Sequence, residues 1–320
     1  MRSFSPERIW ARLPEFGSNA QFECSDFKAY CVHYGLHMLK ARTHTVGRLG
    51  MERIIVAQLW EPQIASRGTL IIWHGYMDHL GLYKSVIQLG LQLGLTVVGV
   101  DLQGHGLSDG PRADINSFGE YEDVHRQLLA QLPRAAVEPL IGLGQSTGGA
   151  ILLAHSLGCF LPAPQPFTYI GIILLAPLIR ARRWYMVRLL YLMLRHRGGT
   201  VRTFRMNSGD HEFIEFLKNG DPLQHRRIEA RWVGAMIEYA QKIAIADPVE
   251  FAPLVIQGDL DQTVDYKYNL KRIDRLFPNA TTITLSGARH HLVNETSQYR
   301  ELFGKEIRAY VQQCLGRVDI

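Results

Sequence analysis

Five consecutive residues, Gly144-Gln145-Ser146-Thr147-Gly148, stand between an apolar stretch that reads as a strand, 139–143, and one that reads as a helix, 147–160. A G-x-S-x-G at such a junction turns the chain within a residue or two, which strains the serine backbone and leaves room only for glycine beside it. The turn holds the Ser146 hydroxyl at a helix start, where free amides and the positive dipole end favour developing negative charge. That is the setting of a nucleophile in acyl transfer.

A serine hydroxyl attacks slowly at neutral pH unless a base takes its proton and a carboxylate orients that base. For a serine at this kind of junction the chain order is serine, acid, histidine. A late apolar strand, 253–257, runs into Gly258-Asp259-Leu260-Asp261-Gln262-Thr263-Val264-Asp265, and the last one, ending near Leu285, into Ser286-Gly287-Ala288-Arg289-His290-His291. Asp261 is assigned as the acid, with Asp259 and Asp265 holding nearby loop amides. Adjacent side chains point different ways, so at most one of His290 and His291 can meet Ser146, and His290 is chosen as the base. An oxyanion needs donors that do not reorganise as charge develops. The Thr147 amide supplies one, and the bend at Trp73-His74-Gly75-Tyr76 leaves the Tyr76 amide as the other. His74, closing a strand, is read as pinning a loop by hydrogen bonding.

These groups need a rigid frame, and the hydrophobic pattern supplies one. Residues 43–48 and 51–60 read as a β-hairpin, and buried-strand runs recur at 69–73, 96–100, 139–143, 169–175, 253–257 and 281–285. Helical patterns fill 82–93, 119–132, 147–160 and 297–314, the second opening with Ser117 and Glu120 in capping-box spacing. The alternation implies an α/β fold with a mostly parallel, doubly wound sheet of about eight strands. From 180 to 246 the rhythm breaks into a helical, Arg-rich and aromatic stretch without a clear strand, which reads as an inserted cap. The core is then 1–179 and 247–320, with 1–40 an extension packed on it. No repeat of 20–50 residues occurs, which excludes solenoids and propellers.

Composition narrows the class. With 320 residues, 47% hydrophobic and 20% charged, the chain is neither disordered nor a disulfide-stapled miniprotein. Cys24, Cys31, Cys159 and Cys314 form no C-x-x-C pair and no zinc-like spacing with the 13 histidines, so they read as reduced thiols of a cytosolic chain and no metal is expected. Charge and Pro6 at the amino terminus do not fit a signal peptide. No Asp, Glu, Lys or Arg occurs between Pro139 and Ile179, more than the roughly 20 residues a membrane span needs. Gly142, Gly144, Gly148, Gly149, Pro162, Pro164 and Pro166 nevertheless divide that run into strand, turn, helix and strand, so it reads as buried core.

The net charge of +5 is uneven. Arg180, Arg182, Arg183, Arg188, Arg195, Arg197, Arg202 and Arg205 occupy a stretch with no acid, leaving −3 on the rest of the chain. Within it, Trp184 to Leu194 makes an apolar helix candidate that suits an anionic lipid surface or an apolar substrate entrance, or else is an Arg face on a packed helix. Trp184, Tyr185 and Arg188 are its candidate substrate contacts. Nucleic acid is a poorer partner, since no binding motif accompanies the arginines.

Four stretches together resemble a known group. HGYMDHLGLY (74–83), DLQGHGLSDGPR (101–112) with SFGEYEDV (117–124), GQSTGG (144–149), and the pair QGDLDQTVD (257–265) and GARHHLVNE (287–295) are similar to α/β-hydrolases of the monoacylglycerol lipase and bacterial lysophospholipase type, close to the serine-aminopeptidase-like hydrolases. The resemblance implies an α/β-hydrolase fold, matches Asp261 as acid, His290 as base and Tyr76 and Thr147 as oxyanion donors, and gives His105 a loop-packing role. Gln145 stands where many members have His or Met, which alters the local pocket and spares the chemistry. The implied activity is hydrolysis of the carboxylic ester of a single-chain lipid, a lysophospholipid or a monoacylglycerol, with no metal or organic cofactor. The arginines favour a phosphate headgroup or the anionic inner face of a membrane. An aminopeptidase using Glu212, Glu215 or Glu238 to bind an amine ranks second, and a non-catalytic binding protein third, because no member of the triad is missing.

Overall fold

Strands that are apolar at every position need cover on both faces, and the central sheet has it. The structure, a computed structural model, describes residues 4–18, 22–161, 168–196, 198–203 and 206–317. Pro162, Pro164, Pro166, Arg197 and Arg205 lie outside the described residues. Eight strands form one sheet: β1 (Thr43–Leu49), β2 (Ile55–Glu61), β3 (Thr69–Trp73), β4 (Thr96–Val100), β5 (Leu140–Gln145), β6 (Gly171–Leu175), β9 (Leu254–Gly258) and β10 (Thr281–Leu285). Their spatial order is β1-β2-β4-β3-β5-β6-β9-β10. β2 pairs antiparallel with both β1 and β4, and every other pairing is parallel.

Side-chain alternation feeds two cores. Leu70 and Ile72 of β3 join Ile141, Leu143, Ile173 and Ile256 on one face, beneath α2 (Ser25–His33), α3 (Lys84–Gln92) and α10 (Ser297–Gly316). Ile71 and Trp73 join Val98, Val100, Leu174 and Val255 on the other, beneath α4 (Gly119–Ala130), α5 (Thr147–Ser156), α8 (Ala230–Ile245) and α9 (Tyr266–Leu276). A short helix, α1 (Pro6–Trp10), adds Ile9 to the first core.

Several details depart from the sequence reading, the unforeseen α9 among them. The 180–246 stretch holds α6 (Trp184–Leu194) and α7 (His211–Glu215), but also a two-stranded antiparallel ribbon, β7 (Gly199–Val201) with β8 (Arg227–Glu229). Three residues per strand carry too little alternation to be seen in sequence. The expected capping box is displaced by one residue: Glu120 Oε1 accepts the amide of Asn116 at 2.7 Å, while Ser117 Oγ donates to Glu238 at 3.0 Å. No helix among the described residues is long and apolar enough to cross a membrane.

The loops at the carboxyl ends of the parallel strands carry the candidate groups, and buried Asp101 organises two of them. Its Oδ1 accepts the Leu80 amide at 2.7 Å and its Oδ2 the Leu107 amide at 2.8 Å. Asp101→Ala would strand both buried donors, so urea denaturation is expected to show a loss of about 2–5 kcal/mol. A loss below about 1 kcal/mol would mean that the loops are held by other contacts.

Candidate active site

The β5-to-α5 junction is as tight as its residues require. Ser146 has φ 54° and ψ −109°, outside the ordinary regions for a residue with a side chain. A Cβ on Gly148 would lie 1.9 Å from the Trp73 carbonyl oxygen, and one on Gly144 would lie 2.3 Å from the Gly148 carbonyl carbon. Only glycine permits this approach. The Ser146 amide donates to Leu175 at 2.8 Å, tying the turn to β6.

From Ser146 a buried series runs outward. Ser146 Oγ is 2.9 Å from His290 Nε2, and His290 Nδ1 is 2.7 Å from Asp261 Oδ2. Asp261 Oδ1 accepts the amides of Thr263 at 2.7 Å and Val264 at 3.1 Å, and its Oδ2 also accepts from Gln257 Nε2 at 3.0 Å. Burial raises the affinity of this carboxyl for a proton, but His290 and these donors outweigh it and hold its pKa below the usual range. The competing carboxylates are placed elsewhere. Asp259 accepts the Gly287 amide at 2.7 Å, and Asp265 caps α9.

His291 turns away from Ser146. Its Nε2 is 3.0 Å from Asp78 Oδ1, and Tyr83 donates its hydroxyl to Asp78 Oδ2 at 3.1 Å. Burial pushes the Asp78 carboxyl up, and His291 pulls it down further, so it lies well below the ordinary range. His74 Nε2 accepts the Leu102 amide at 2.9 Å, and His105 is buried with Nδ1 2.9 Å from the Gln103 carbonyl oxygen. Both pin loops, and neither reaches Ser146.

The amides of Tyr76 and Thr147 donate to no described acceptor, and both residues line the same cavity as Ser146 and His290. The Tyr76 ring stacks on Trp232 of α8 at 3.7 Å between centroids, and its hydroxyl donates to Ala113 at 2.9 Å. Three positioning residues escaped the sequence reading, Gln257, Trp232 and Asp78; Gln145, read there as altering the local pocket, donates its Nε2 to the His290 carbonyl at 2.9 Å. Gln145 had a signal in its position beside the serine; Trp232 had none, since a tryptophan on an amphipathic helix reads as core.

The cavity holds about 560 Å³, within the range of small-molecule sites. Leu178, Val187, Leu190, Trp232, Val233 and Met236 supply apolar wall, while Asp78, Asn207, Arg202 and His291 make a polar end. Helix α6 contributes Val187 and Leu190 in place of the expected Trp184, Tyr185 and Arg188. Trp184 turns into the core beneath Arg180, whose guanidinium lies 5.5 Å from its ring; Tyr185 is 80% exposed, and Arg188 also faces solvent. Of the described arginines of this stretch, Arg182 and Arg202 line the cavity. Glu212, Glu215 and Glu238 do not, and Asp78 is the one carboxylate lining it among the described residues.

Residues 64–297 match the family described as serine aminopeptidase, S33. The monoacylglycerol lipase of Mycolicibacterium smegmatis is 26% identical over 264 residues, covering 80% of this chain and 92% of that one. Human monoglyceride lipase is 24% identical over 272 residues, covering 81% and 87%. A soluble variant of Saccharomyces cerevisiae monoglyceride lipase, solved with a substrate analogue, shares the fold with a TM-score of 0.71 at 17% identity, covering 86% of this chain and 97% of that one.

Gln145→Leu removes the donor that ties the His290 carbonyl to the turn. Labelling of Ser146 by a fluorophosphonate is expected to slow about tenfold, the equivalent of about 1.4 kcal/mol of activation free energy. An unchanged labelling rate would show that His290 is positioned without this bond.

Proposed function

The chain belongs to the serine aminopeptidase S33 family of α/β-hydrolases, and from that membership we infer that it is a carboxylic ester hydrolase acting on single-chain lipid esters. The observation that carries this reading is the hydrogen-bonded series Ser146, His290, Asp261 facing a cavity with one apolar wall and one polar end. Ser146 Oγ attacks the ester carbonyl as His290 Nε2 takes its proton, and Asp261 stabilises the imidazolium that forms. The Tyr76 and Thr147 amides bind the oxyanion. His290 then protonates the departing alkoxide, and the acyl-enzyme is cleared by water activated through the same histidine.

The acyl chain takes the wall of Leu178, Val187, Leu190, Trp232 and Met236. The polar end holds opposite charges, with Arg202 attracted to Asp78, and such a balanced pair suits hydroxyl groups better than a bare phosphate. Monoacylglycerol is therefore the first substrate reading, in keeping with the names of the relatives. Lysophospholipid is the second, favoured by Arg182 at the cavity wall. The aminopeptidase reading loses support because Glu212, Glu215 and Glu238 stand off the cavity, and Asp78 is already engaged by His291 and Tyr83.

The 180–246 segment serves in this reading as a cap that also meets lipid. Helix α6 exposes Tyr185, Met186, Leu189, Leu192 (60% exposed) and Met193, interleaved with solvent-facing Arg183, Arg188 and Arg195. A monomeric soluble protein rarely leaves such a patch bare, and the arginines suit an anionic leaflet.

Hydrolysis of monoolein, lysophosphatidylcholine, lysophosphatidylglycerol and a short p-nitrophenyl ester decides the chemistry. Ser146→Ala and His290→Ala are expected to abolish all of it, Asp261→Asn to lower kcat by about 10⁴, and His291→Ala to leave the short ester nearly unchanged. Activity surviving in Ser146→Ala would end the reading, and preference for either lysophospholipid over monoolein would reverse the order of substrates.

Vesicle sedimentation tests the lipid contact. The protein is expected to sediment with vesicles containing phosphatidylglycerol, and Leu189→Asp with Leu192→Asp to reduce the bound fraction about tenfold while short-ester hydrolysis is retained. Equal sedimentation with neutral and anionic vesicles would refute the role of the arginines.

A further inference from the structure

A second polar cluster lies between α4 and α5, away from the serine. Glu122 and His125 stand one turn apart on α4, and His155, near the end of α5, reaches the same point. One ligand-type atom from each residue lies within 4.8 Å of the others. Glu122 Oε1 is 2.9 Å from His155 Nδ1 and 3.7 Å from His125 Nδ1. Atoms bound to tetrahedral zinc at about 2.0–2.1 Å stand about 3.4 Å apart, so small side-chain rotations bring all three into one coordination sphere.

The decisive atom is His125 Nδ1. His125 is completely buried, and this nitrogen has no hydrogen-bond partner among the described residues, since 3.7 Å to Glu122 is too long. Leaving such an atom unmatched in the core is costly. The opposite nitrogen, Nε2, is 2.7 Å from the Tyr169 hydroxyl. When Nε2–H is donated to that oxygen, Nδ1 presents a bare lone pair toward Glu122 and His155, the way an outer partner fixes a metal-binding tautomer.

The geometry points to a binding site for a divalent transition-metal ion, of zinc's class, formed by Glu122, His125 and His155. Two imidazoles and one carboxylate suit zinc, whereas calcium and magnesium take oxygen ligands. The site is structural. His155 lies nine residues after Ser146, roughly 13 Å along the helix axis, so the ion clamps α4 to α5 and takes no part in acyl transfer. Its ligands come from two helices about 30 residues apart, a pattern outside the short Cys and His spacings by which zinc sites are found in sequence.

Tag-free full-length protein, dialysed against a chelator, is titrated with Zn²⁺ in a calorimeter and melted with and without the ion. One equivalent is expected to bind, raising Tm by about 3–5 °C at a hundredfold excess over Kd. Glu122→Gln and His155→Asn are each expected to weaken binding at least tenfold, while Ser146→Ala binds as the wild type does. Because the core position of His125 makes its variants liable to misfold, the decision rests on His155, at the rim of the cluster, and on the near-isosteric Glu122→Gln. Absence of saturable binding to the folded wild type, or binding that neither variant weakens, would overturn the site.

Discussion

Gly148 lies against the Trp73 carbonyl oxygen at a distance no side chain would allow, and the geometry of the whole site follows from that approach. β5 is fixed on both flanks, with Gly144 opposite Trp73 and Gln145 opposite Leu175. The chain therefore cannot relax sideways as it turns into α5, and the strain settles on Ser146. The neighbouring parallel strands end at the same edge of the sheet. Their loops deliver Tyr76 from β3, Asp261 from β9 and His290 from β10 to the one point where the serine stands. The last two loops are also pressed together: a Cβ on Gly258 would lie 2.4 Å from the carbonyl oxygens of Ala288 and Arg289.

Buried carboxylates are costly unless they are answered, and here a histidine answers four of them. Asp261 faces His290, Asp78 faces His291, Asp221 faces His79 at 3.2 Å, and Glu122 faces His155. The Asp221 pair does more than neutralise charge. Tyr34 of the amino-terminal stretch donates to Asp221 Oδ1 at 2.7 Å, so one carboxylate joins that stretch, the loop after β3 and the 180–246 segment. Burial works against the ionised form of Asp221, yet His79 and its other donors hold its pKa at about 2. The polar contacts thus set how the added segments sit on the sheet, a task for which non-directional apolar packing is poorly suited.

The sequence made the frame legible because its signals were local and strong. Eight strand positions followed from apolar runs between turn residues, and the G-x-S-x-G junction could be recognised because strand, turn and helix are contiguous. Choosing Asp261 over Asp259 and Asp265 rested on reading the other two as holders of loop amides and on the family resemblance, and the separation seen in space comes from amides of Thr263 and Val264 that sequence does not display. Helix α6 resisted because it is apolar around most of its circumference. Its periodicity cannot tell which of its apolar side chains pack on the core, as Trp184 does, and which line the cavity, as Val187 and Leu190 do. Helix α9 was hidden by its own cap, since Asp265 drew attention as a carboxylate in a catalytic loop while it was starting a helix.

Trp73 connects what the two clusters do separately. Its carbonyl oxygen meets Gly148 at the turn, while its ring lies 4.8 Å from His125, whose own ring is 4.0 Å from that of His155. Helix α5 is thus braced at both ends: at its start by the close approach to β3, and near its end by the polar cluster shared with α4. A helix held at one end only can pivot, and a pivot at Ser146 would move the Thr147 amide and the hydroxyl together relative to His290. Contacts at the far end of α5 therefore belong to the precision of the site without belonging to its chemistry. An apolar packing there would brace the helix less definitely, because several rotamers can fill the same volume. A buried carboxylate between two imidazoles has few arrangements that leave no charge unmatched, and that restriction is what holding Ser146 in place requires.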